Sequence, residues 1–222
     1  MVKKRILKAA QELFRETGIR NTTMDDIARQ AGISKRTIYE NFKDKEEVLV
    51  ACINCIFEEN ERYAAHVFRT SGSVVEAIVL LINKGAEYAQ QQRHSALNEI
   101  KRYYPDVCKG IVACNKEEKR EAICRLIEQG MKEGVFRDDL NLEILSVMFQ
   151  LLAEGIMLND AALEKFAVFE IFGTMAILNL RGLCTYKGLE ILDHTLSRTS
   201  KNNRDSGMNF HGLIIKNKYN IQ

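Results

Sequence analysis

The amino-acid sequence predicts an all-α protein, and two features support this prediction. The 222 residues contain a single proline, Pro105, so helices can run without interruption through almost the whole chain. Apolar residues recur at spacings of three and four over most of that length, which is the period of a helix packed on a core. A chain of this size can form one large domain or two modest ones.

The first predicted helix covers residues 3–17 and ends at Gly18, a residue that suits a helix C-terminus. Four cations near its start, between positions 3 and 8, are interpreted as solvated charges. The apolar stripe that should face the core consists of Ile6, Leu7, Ala10, Leu13 and Phe14.

The stretch from Thr23 to Lys45 predicts two short helices on either side of a tight turn. Thr23 and Ser34 are good N-caps for the first and the second of these helices. Gly32 ends the first helix, because glycine fits the left-handed conformation common at that point, and Ile33 behind it can fold back into the core.

The outer face of the second short helix carries Lys35, Arg36 and Tyr39. Two cations and a phenol near a helix N-terminus suit the phosphates and base edges of a DNA duplex. The alternative is that these are ordinary surface charges, with Arg36 paired to Glu40 one turn later. The tight turn and the two caps favour a helix-turn-helix that meets DNA.

Residues 3–50 also contain a run of motif residues at fixed spacings. They are Ala10, Leu13 and Phe14; Gly18; Thr22 and Thr23; Asp26, Ile27 and Ala28; Ala31, Gly32, Ile33 and Ser34; Thr37, Ile38, Tyr39 and Phe42; and Lys45, Glu46 and Leu49. With these residues the stretch resembles the N-terminal domain of TetR-family transcriptional repressors. The fixed spacing over the whole run makes the resemblance more specific than a short motif. Beyond Leu49 only a helical pattern continues.

Eight residues of this domain are predicted to contact DNA, in three groups. The outer face of the second short helix carries much of the operator contact, two hydroxyls near its start add bonds to base edges or phosphates, and three further residues clamp the backbone. In that order they are Lys35, Arg36 and Tyr39; Ser34 and Thr37; and Thr23, Lys43 and Lys45.

The chain is divided by prediction into a DNA-binding domain at residues 1–47, a helical effector-binding and dimerisation domain at 48–196, and a disordered tail at 197–222. The first of these holds eleven Lys/Arg and eight Asp/Glu, a mildly basic balance that agrees with DNA binding. Asp44 and Glu47 have the spacing of a capping box and begin a long helix expected to reach Phe68.

Five further segments have helical patterns: residues 74–92, a broken stretch at 95–104, and then 116–132, 141–158 and 163–182. The resemblance implies that the last two form a homodimer as a four-helix bundle with the same pair from a partner. The alternative is that both are simply the core of one subunit. A two-fold dimer would recognise an operator that is an inverted repeat.

By resemblance, the second domain holds a pocket for an unknown small-molecule effector whose binding releases the repressor from its operator. Aromatic side chains, with one arginine near them, are the candidates for lining it, although aromatics at helical spacing are also common in cores. The candidate residues are Phe57, Tyr63, Tyr88, Arg102, Tyr103 and Tyr104.

The six cysteines do not predict a metal site, because Cys52 and Cys55 have no second close pair and no histidines at ligand spacing. They are interpreted as structural side chains, with a redox-sensing thiol as the alternative.

No cofactor is predicted, and no Gly-rich phosphate loop or catalytic signature suggests an enzyme. No apolar run is long enough for a membrane helix, so a cytoplasmic protein is expected. A helical interaction module, a ligand-independent regulator and an activator remain open.

Overall fold

The computed structural model describes residues 1–90, 96–113, 116–158 and 168–202 of the chain. These residues form eleven α-helices and no strand beyond one isolated bridge between Phe136 and Cys184, so the predicted all-α class is confirmed. The helices are α1 (Val2–Thr17), α2 (Met24–Gln30), α3 (Lys35–Asn41), α4 (Lys45–Thr70), α5 (Val74–Gln90), α6 (Ala96–Tyr103), α7 (Pro105–Ala113), α8 (Lys116–Lys132), α9 (Leu142–Leu158), α10 (Val168–Leu183) and α11 (Tyr186–Asn202).

The sequence analysis did not predict α7 or α11. Helix α7 begins at Pro105, which ends the preceding helix but also suits the first position of a new one, where no intrahelical N–H is needed. Helix α11 extends to Asn202, so the predicted disordered tail is wrong for residues 197–202. Residues 203–222, together with 91–95, 114–115 and 159–167, lie outside the described part of the chain.

Within the described residues, the chain separates into two compact units. The described residues of the first unit are 1–63 and 96–113, and those of the second are 64–90, 116–158 and 168–202. This division differs from the predicted boundary at residue 47, because α6 and α7 return to the N-terminal helices. Ile100, Val107 and Cys108 are buried there in the same core as the first three helices.

The core of the first unit is built around α1, α2 and α3. Ile6, Ile27 and Ile38, one from each of these helices, are completely buried. Val48 and Leu49 from the start of α4 join the same apolar cluster. The turn between α2 and α3 is therefore held on a packed base rather than on a free loop.

The second unit has its own core, in which α5 packs against α10 and α11 and α8 packs against α9. Val75, Ile177, Leu192 and Leu196 are among its buried residues. The short extended segment after α8 pairs with the end of α10, where the Arg137 N–H donates to the Leu183 carbonyl at 2.9 Å. None of the described helices combines the length and apolar character that a membrane-spanning helix needs.

Candidate functional site

The reversal between α2 and α3 has the geometry that the sequence predicts. Gly32 has a φ of 61°, in the left-handed region that glycine adopts at little cost. The Ile33 N–H donates to the Ala28 carbonyl at 3.0 Å and the Gly32 N–H donates to the Arg29 carbonyl at 3.1 Å. This pair of bonds is a Schellman motif, and it satisfies carbonyls that the end of α2 would otherwise leave unpaired.

Arg5 also holds this turn, and the sequence analysis did not assign it that role. Its guanidinium donates to the Ala31 carbonyl at 2.6 Å and to the Gly32 carbonyl at 3.2 Å. A cation at the C-terminus of α2 stabilises the negative end of the helix as well as the free carbonyls. The only sequence signal is that Arg5 borders the apolar stripe of α1, at one edge of the buried face.

Thr23 starts α2 with a complete capping box. Its hydroxyl accepts from the Asp26 N–H at 3.2 Å and donates to the Asp26 carboxylate at 2.6 Å, while the Thr23 N–H also donates to that carboxylate at 3.1 Å. These hydrogen bonds lower the pKa of Asp26, first the one from the Thr23 side chain and then the one from its backbone. The hydroxyl is exposed but already committed to the cap.

Substitution of Thr23 by valine is expected to cost about 1 kcal/mol of stability, the usual effect of losing an N-cap. The pKa of Asp26 should rise toward its ordinary value, because the largest cause of its depression is removed. A lowered carboxyl pKa contributes stability above the unfolded pKa, and this contribution is lost as the pH falls through the folded pKa. The difference between wild type and variant should therefore shrink as the pH falls below about 4, the ordinary pKa of an aspartate.

Urea unfolding at several pH values measures this difference, and NMR titration follows Asp26 itself. Thr70→Val is a suitable control, since the Thr70 hydroxyl donates to the His66 carbonyl inside a helix and contacts no carboxylate. A stability loss in Thr23→Val that stays constant down to the lowest pH would contradict the assigned coupling.

Ser34 and Thr37 are joined at the start of α3. The Thr37 N–H donates to the Ser34 hydroxyl oxygen at 3.0 Å, and the two hydroxyl oxygens lie 2.8 Å apart. Ser34 is therefore the N-cap of α3, as predicted. The two hydroxyls lie together at the N-terminus of the helix that presents the cations.

The outer face of α3 carries Lys35, Arg36 and Tyr39, all three exposed to solvent. Lys35 forms an ion pair with Asp25 at 2.9 Å, and Arg36 pairs with Glu40 at 2.8 Å. The hydrogen bond to Asp25 is the main cause that raises the pKa of Lys35, so the side chain is a cation at neutral pH. Exposed pairs of this kind contribute about 0–1 kcal/mol, so phosphates can displace the carboxylates at little cost.

Lys45 does not have the free ammonium that a contact to the DNA backbone requires, and that predicted role is corrected here. Its Nζ donates to the carbonyls of Ile19, Arg20 and Thr22 at 2.9, 3.1 and 2.8 Å. An ammonium has three donors, so this set uses all of them. Burial is the main cause that lowers the pKa of Lys45, and the charge of Glu99 opposes it.

Lys43 lies two residues earlier, and its side chain is exposed. Its backbone N–H donates to the Glu47 carboxylate at 2.6 Å, and the Glu47 N–H donates to the Asp44 carboxylate at 2.9 Å. The start of α4 is therefore capped by the predicted pair, although Glu47 accepts from the residue before the N-cap. The ammonium of Lys43 stays available to a ligand.

A second candidate site is a cavity of about 500 Å³ inside the second unit. The end of α4, together with α5, α8, α9 and α10, supplies most of its walls, and the segment after α8 adds Phe136. Seventeen of its eighteen described lining residues are apolar or glycine, and Asn179 is the exception. Ligand pockets have volumes of roughly 300–1,000 Å³ and mostly apolar walls, so this cavity has the size of a small-molecule site.

Five of the six residues predicted to line an effector pocket are described in full, and none of these five lines this cavity. Phe57 and Tyr63 are on an exposed part of α4, and Tyr104 packs against the core of the first unit. The Tyr103 hydroxyl accepts from Arg20 at 2.9 Å, and Arg102 lies over the Tyr103 ring. The fold uses these aromatics within the first unit, so this part of the prediction is corrected. The side chain of Tyr88 lies outside the described part of the chain.

Cys52, Cys108 and Cys184 are buried free thiols, while Cys55 and Cys124 are half-buried. Burial raises the pKa of Cys52 to about 12 and that of Cys184 to about 12, so these thiols are poor nucleophiles. In the part of the chain that the structure describes, no three potential ligands lie close enough to hold a metal ion.

Two helices at a tight turn, with an exposed cationic face on the second, define a helix-turn-helix DNA-binding protein. The family model for the tetR family of bacterial regulatory proteins matches residues 6–52, which contain both helices and the turn. Over these residues the chain is similar to the N-terminal domain of the TetR family of DNA-binding transcriptional regulators, in agreement with the sequence motifs.

Relatives extend the similarity beyond the N-terminal helices. The HTH-type transcriptional repressor KstR2 of Rhodococcus jostii is 28% identical over 151 residues, covering 63% of this chain and 70% of that protein. The HTH-type transcriptional regulator TtgR of Pseudomonas putida is 24% identical over 169 residues, covering 68% of this chain and 76% of that protein.

A solved structure of a TetR transcription regulator from Haloarcula marismortui matches with a TM-score of 0.64. The match covers 83% of this chain and 98% of that chain at 20% sequence identity. At this identity the match supports the fold alone, with a helix-turn-helix domain followed by a helical C-terminal domain.

Proposed function

We propose that this protein is a homodimeric repressor that binds an inverted-repeat operator and leaves it when a small molecule binds the second unit. The observation that carries the proposal is the exposed face of α3, which presents Lys35, Arg36 and Tyr39. The turn before this helix is fixed by Gly32 and Arg5. A regulator of this kind would act on DNA in the cytoplasm.

The proposed DNA contacts follow from the charges and hydrogen-bonding groups of each side chain that can still bind a ligand. Lys35 and Arg36 give up weak surface pairs, and Arg36 in particular can form bidentate bonds to guanine or to a phosphate. Tyr39 adds an exposed phenol one turn further along α3. Ser34 and Thr37 offer hydroxyls at the helix N-terminus, where free N–H groups favour phosphates.

Thr23 and Lys43 are proposed as backbone contacts on either side of α3. The Thr23 hydroxyl is used by the cap, so Thr23 is proposed only for its place at the N-terminus of α2, where the positive end of the helix dipole attracts a phosphate. Lys43 presents an exposed ammonium just before α4. Lys45 is excluded from this set because its three donors are used by backbone carbonyls.

Exposed apolar side chains on α9 and α10 support the homodimer. Ile144 and Leu151 are 66% and 62% exposed on α9, and Leu178 is 53% exposed on α10. The alternative, that both helices are only the core of one subunit, does not explain apolar side chains with this much exposure. A second copy of the chain would cover them, and a two-fold axis would present two α3 helices to the two halves of an operator.

Release by a small molecule is proposed from the cavity and from the length of α4. This helix begins at Lys45, against the loop that precedes α2, and its later residue Phe68 lines the cavity. A ligand that favours one position of the Phe68 end would change the spacing of the two DNA-binding domains in a dimer. A 100-fold loss of operator affinity requires a difference of about 3 kcal/mol in ligand affinity between the two states.

The sign of regulation is taken from relatives. KstR2 is named a transcriptional repressor, and we extend that role to this protein. An activator would bind DNA equally well, so transcription must be measured from a promoter that contains the operator. Lower transcription in the presence of the protein is expected.

Selection of binding sites from random duplexes tests the DNA proposal directly. The expected result is an inverted repeat with half-sites about one helical turn, or a multiple of it, apart. A single half-site would contradict the dimer. The absence of any enriched sequence, with binding to duplexes also absent at low salt, would favour a helical interaction module without DNA binding.

Arg36→Ala is expected to reduce affinity for the selected operator by about 1–3 kcal/mol and to relax selectivity at the base pair it contacts. Arg15→Ala is the matched control, because Arg15 is an exposed arginine of the same unit on α1. Repeating the site selection with both variants measures selectivity directly. Unchanged preference in Arg36→Ala at every operator position would remove Arg36 from base reading.

A further inference from the structure

The cavity of the second unit selects against charge. Its described lining includes no Asp, Glu, Lys, Arg or His, and its largest side chains are phenylalanines from several elements: Phe68, Phe136, Phe149 and Phe172. Transfer of an unpaired ion from water into such a site is very unfavourable, since nothing in the described lining can pair with it. The described lining therefore favours a ligand that is uncharged and mostly apolar.

Asn179 is the exception in the lining, and its hydrogen bonds limit what the ligand can offer. The Asn179 Nδ2 donates to the Met175 carbonyl at 2.8 Å, within α10. Because a carbonyl only accepts, this bond fixes which end of the amide is the nitrogen. Within the described residues nothing donates to the Oδ1 oxygen, so one acceptor and one further N–H remain.

A hydroxyl group matches this remaining capacity, since it can donate to Oδ1 or accept from the free N–H. A ligand without a polar group would leave the partly buried amide unpaired, at a cost comparable to a lost hydrogen bond. The amide therefore orients a ligand by its single polar end, while the apolar walls provide most of the affinity.

We propose that the cavity binds an uncharged, largely apolar molecule whose hydroxyl group is recognised by Asn179. This inference rests on the proposed function for its biological meaning, because the ligand would be the effector that releases the operator. The site itself is defined by the cavity lining and by the free capacity of Asn179.

Three probes with one ring system separate the contributions of shape, charge and the hydroxyl: pyrene, 1-hydroxypyrene and 1-pyrenecarboxylate. Pyrene fluorescence reports the polarity of its surroundings, and the chain has no tryptophan to interfere. Titration of the full chain should give saturable binding of 1-hydroxypyrene. We expect it to bind about tenfold more tightly than pyrene, and more tightly still than 1-pyrenecarboxylate.

Asn179→Leu should remove the preference for 1-hydroxypyrene over pyrene and leave pyrene binding nearly unchanged. Asn83→Leu is the matched control, because Asn83 donates to the Val79 carbonyl at 2.9 Å in the same way but does not line the cavity. Ala176→Phe narrows the cavity and should weaken all three probes. Circular dichroism shows whether each variant is folded, and a variant that fails to fold is replaced by Asn179→Ala or Ala176→Leu.

Three results would overturn the inference: no saturable binding of either neutral probe, binding of 1-pyrenecarboxylate as tight as that of 1-hydroxypyrene, or equal effects of Asn179→Leu and Asn83→Leu. The operator gel shift without any probe tests the proposed function separately. Probe binding without an operator gel shift would support the proposed ligand site and contradict the proposed repressor function. An operator gel shift without probe binding would support DNA binding by the protein and contradict the proposed ligand site.

Discussion

Replacement of Leu151 by glutamate is expected to convert the dimer into monomers and to reduce operator affinity by at least about 100-fold. Leu151 is 62% exposed in one chain, and the proposed partner would bury it. The substitution occurs in both copies and leaves two carboxylates without partners in an apolar interface, which costs several kcal/mol. A monomer then holds one half-site without the gain in effective concentration that the second half-site provides.

Analytical ultracentrifugation measures the oligomeric state, and a gel shift with the selected operator measures affinity. Tyr186→Glu is the control, because Tyr186 is a large side chain at 70% exposure that belongs to α11 rather than to α9 or α10. It should remain dimeric and bind the operator normally. If Leu151→Glu sediments as a dimer, the interface lies elsewhere on the chain.

Local rules explain why much of the fold could be predicted from the sequence. The start of α2 at Thr23, the start of α3 at Ser34 and the turn at Gly32 each depend on residues only a few positions away, and all three follow the predicted geometry. Helix α8 also matches the predicted bounds of 116–132. Caps, glycine and apolar period are properties of the sequence itself.

Two helices were missed for different reasons. The predicted helical stretch at 95–104 stops just before Pro105, although proline also favours the first turn of a helix, and α7 begins at that residue. Helix α11 did have a signal, since Leu189, Leu192 and Leu196 have helical spacing and pack in the core of the second unit. The residues after 196 are polar, so the sequence predicted disorder where α11 has its C-terminal turn.

The cavity could not be predicted because its walls come from distant segments of the chain. Phe68 and Phe149 lie far apart in sequence and meet only after α4, α5, α8, α9 and α10 have packed together. Tyr103 and Tyr104 were candidates as aromatic side chains of the predicted second domain, yet α6 packs within the first unit. Proximity along the chain was a poor guide to which aromatics share a cavity.

The contacts of the Lys45 ammonium were also not predicted, because they are made with residues distant in sequence. The sequence places a lysine just after the recognition helix, where a phosphate contact is reasonable. The ammonium instead bonds to the loop at residues 19–22, which is more than twenty positions away along the chain. Sequence spacing alone does not show that its donors are already used.

Substitution of Lys45 by methionine is therefore expected to reduce the free energy of unfolding by about 3 kcal/mol, because three carbonyls lose a charged donor. Methionine keeps the length and apolar character of the stem, so the loss reports the ammonium. The substitution should not change the dependence of operator affinity on salt once measurements are corrected for the folded fraction.

Lys43→Met should change the salt dependence of operator affinity and leave the free energy of unfolding nearly unchanged, since the Lys43 ammonium is exposed and free to bind a phosphate. Its free energy of unfolding should change by less than about 0.5 kcal/mol. The slope of log affinity against log salt should become shallower by about one, as expected for the loss of one phosphate contact. Urea unfolding and operator titrations at several salt concentrations measure both quantities for both variants. If Lys45→Met remains as stable as wild type and has the shallower slope, then Lys45 leaves the loop when DNA binds and is a phosphate contact after all.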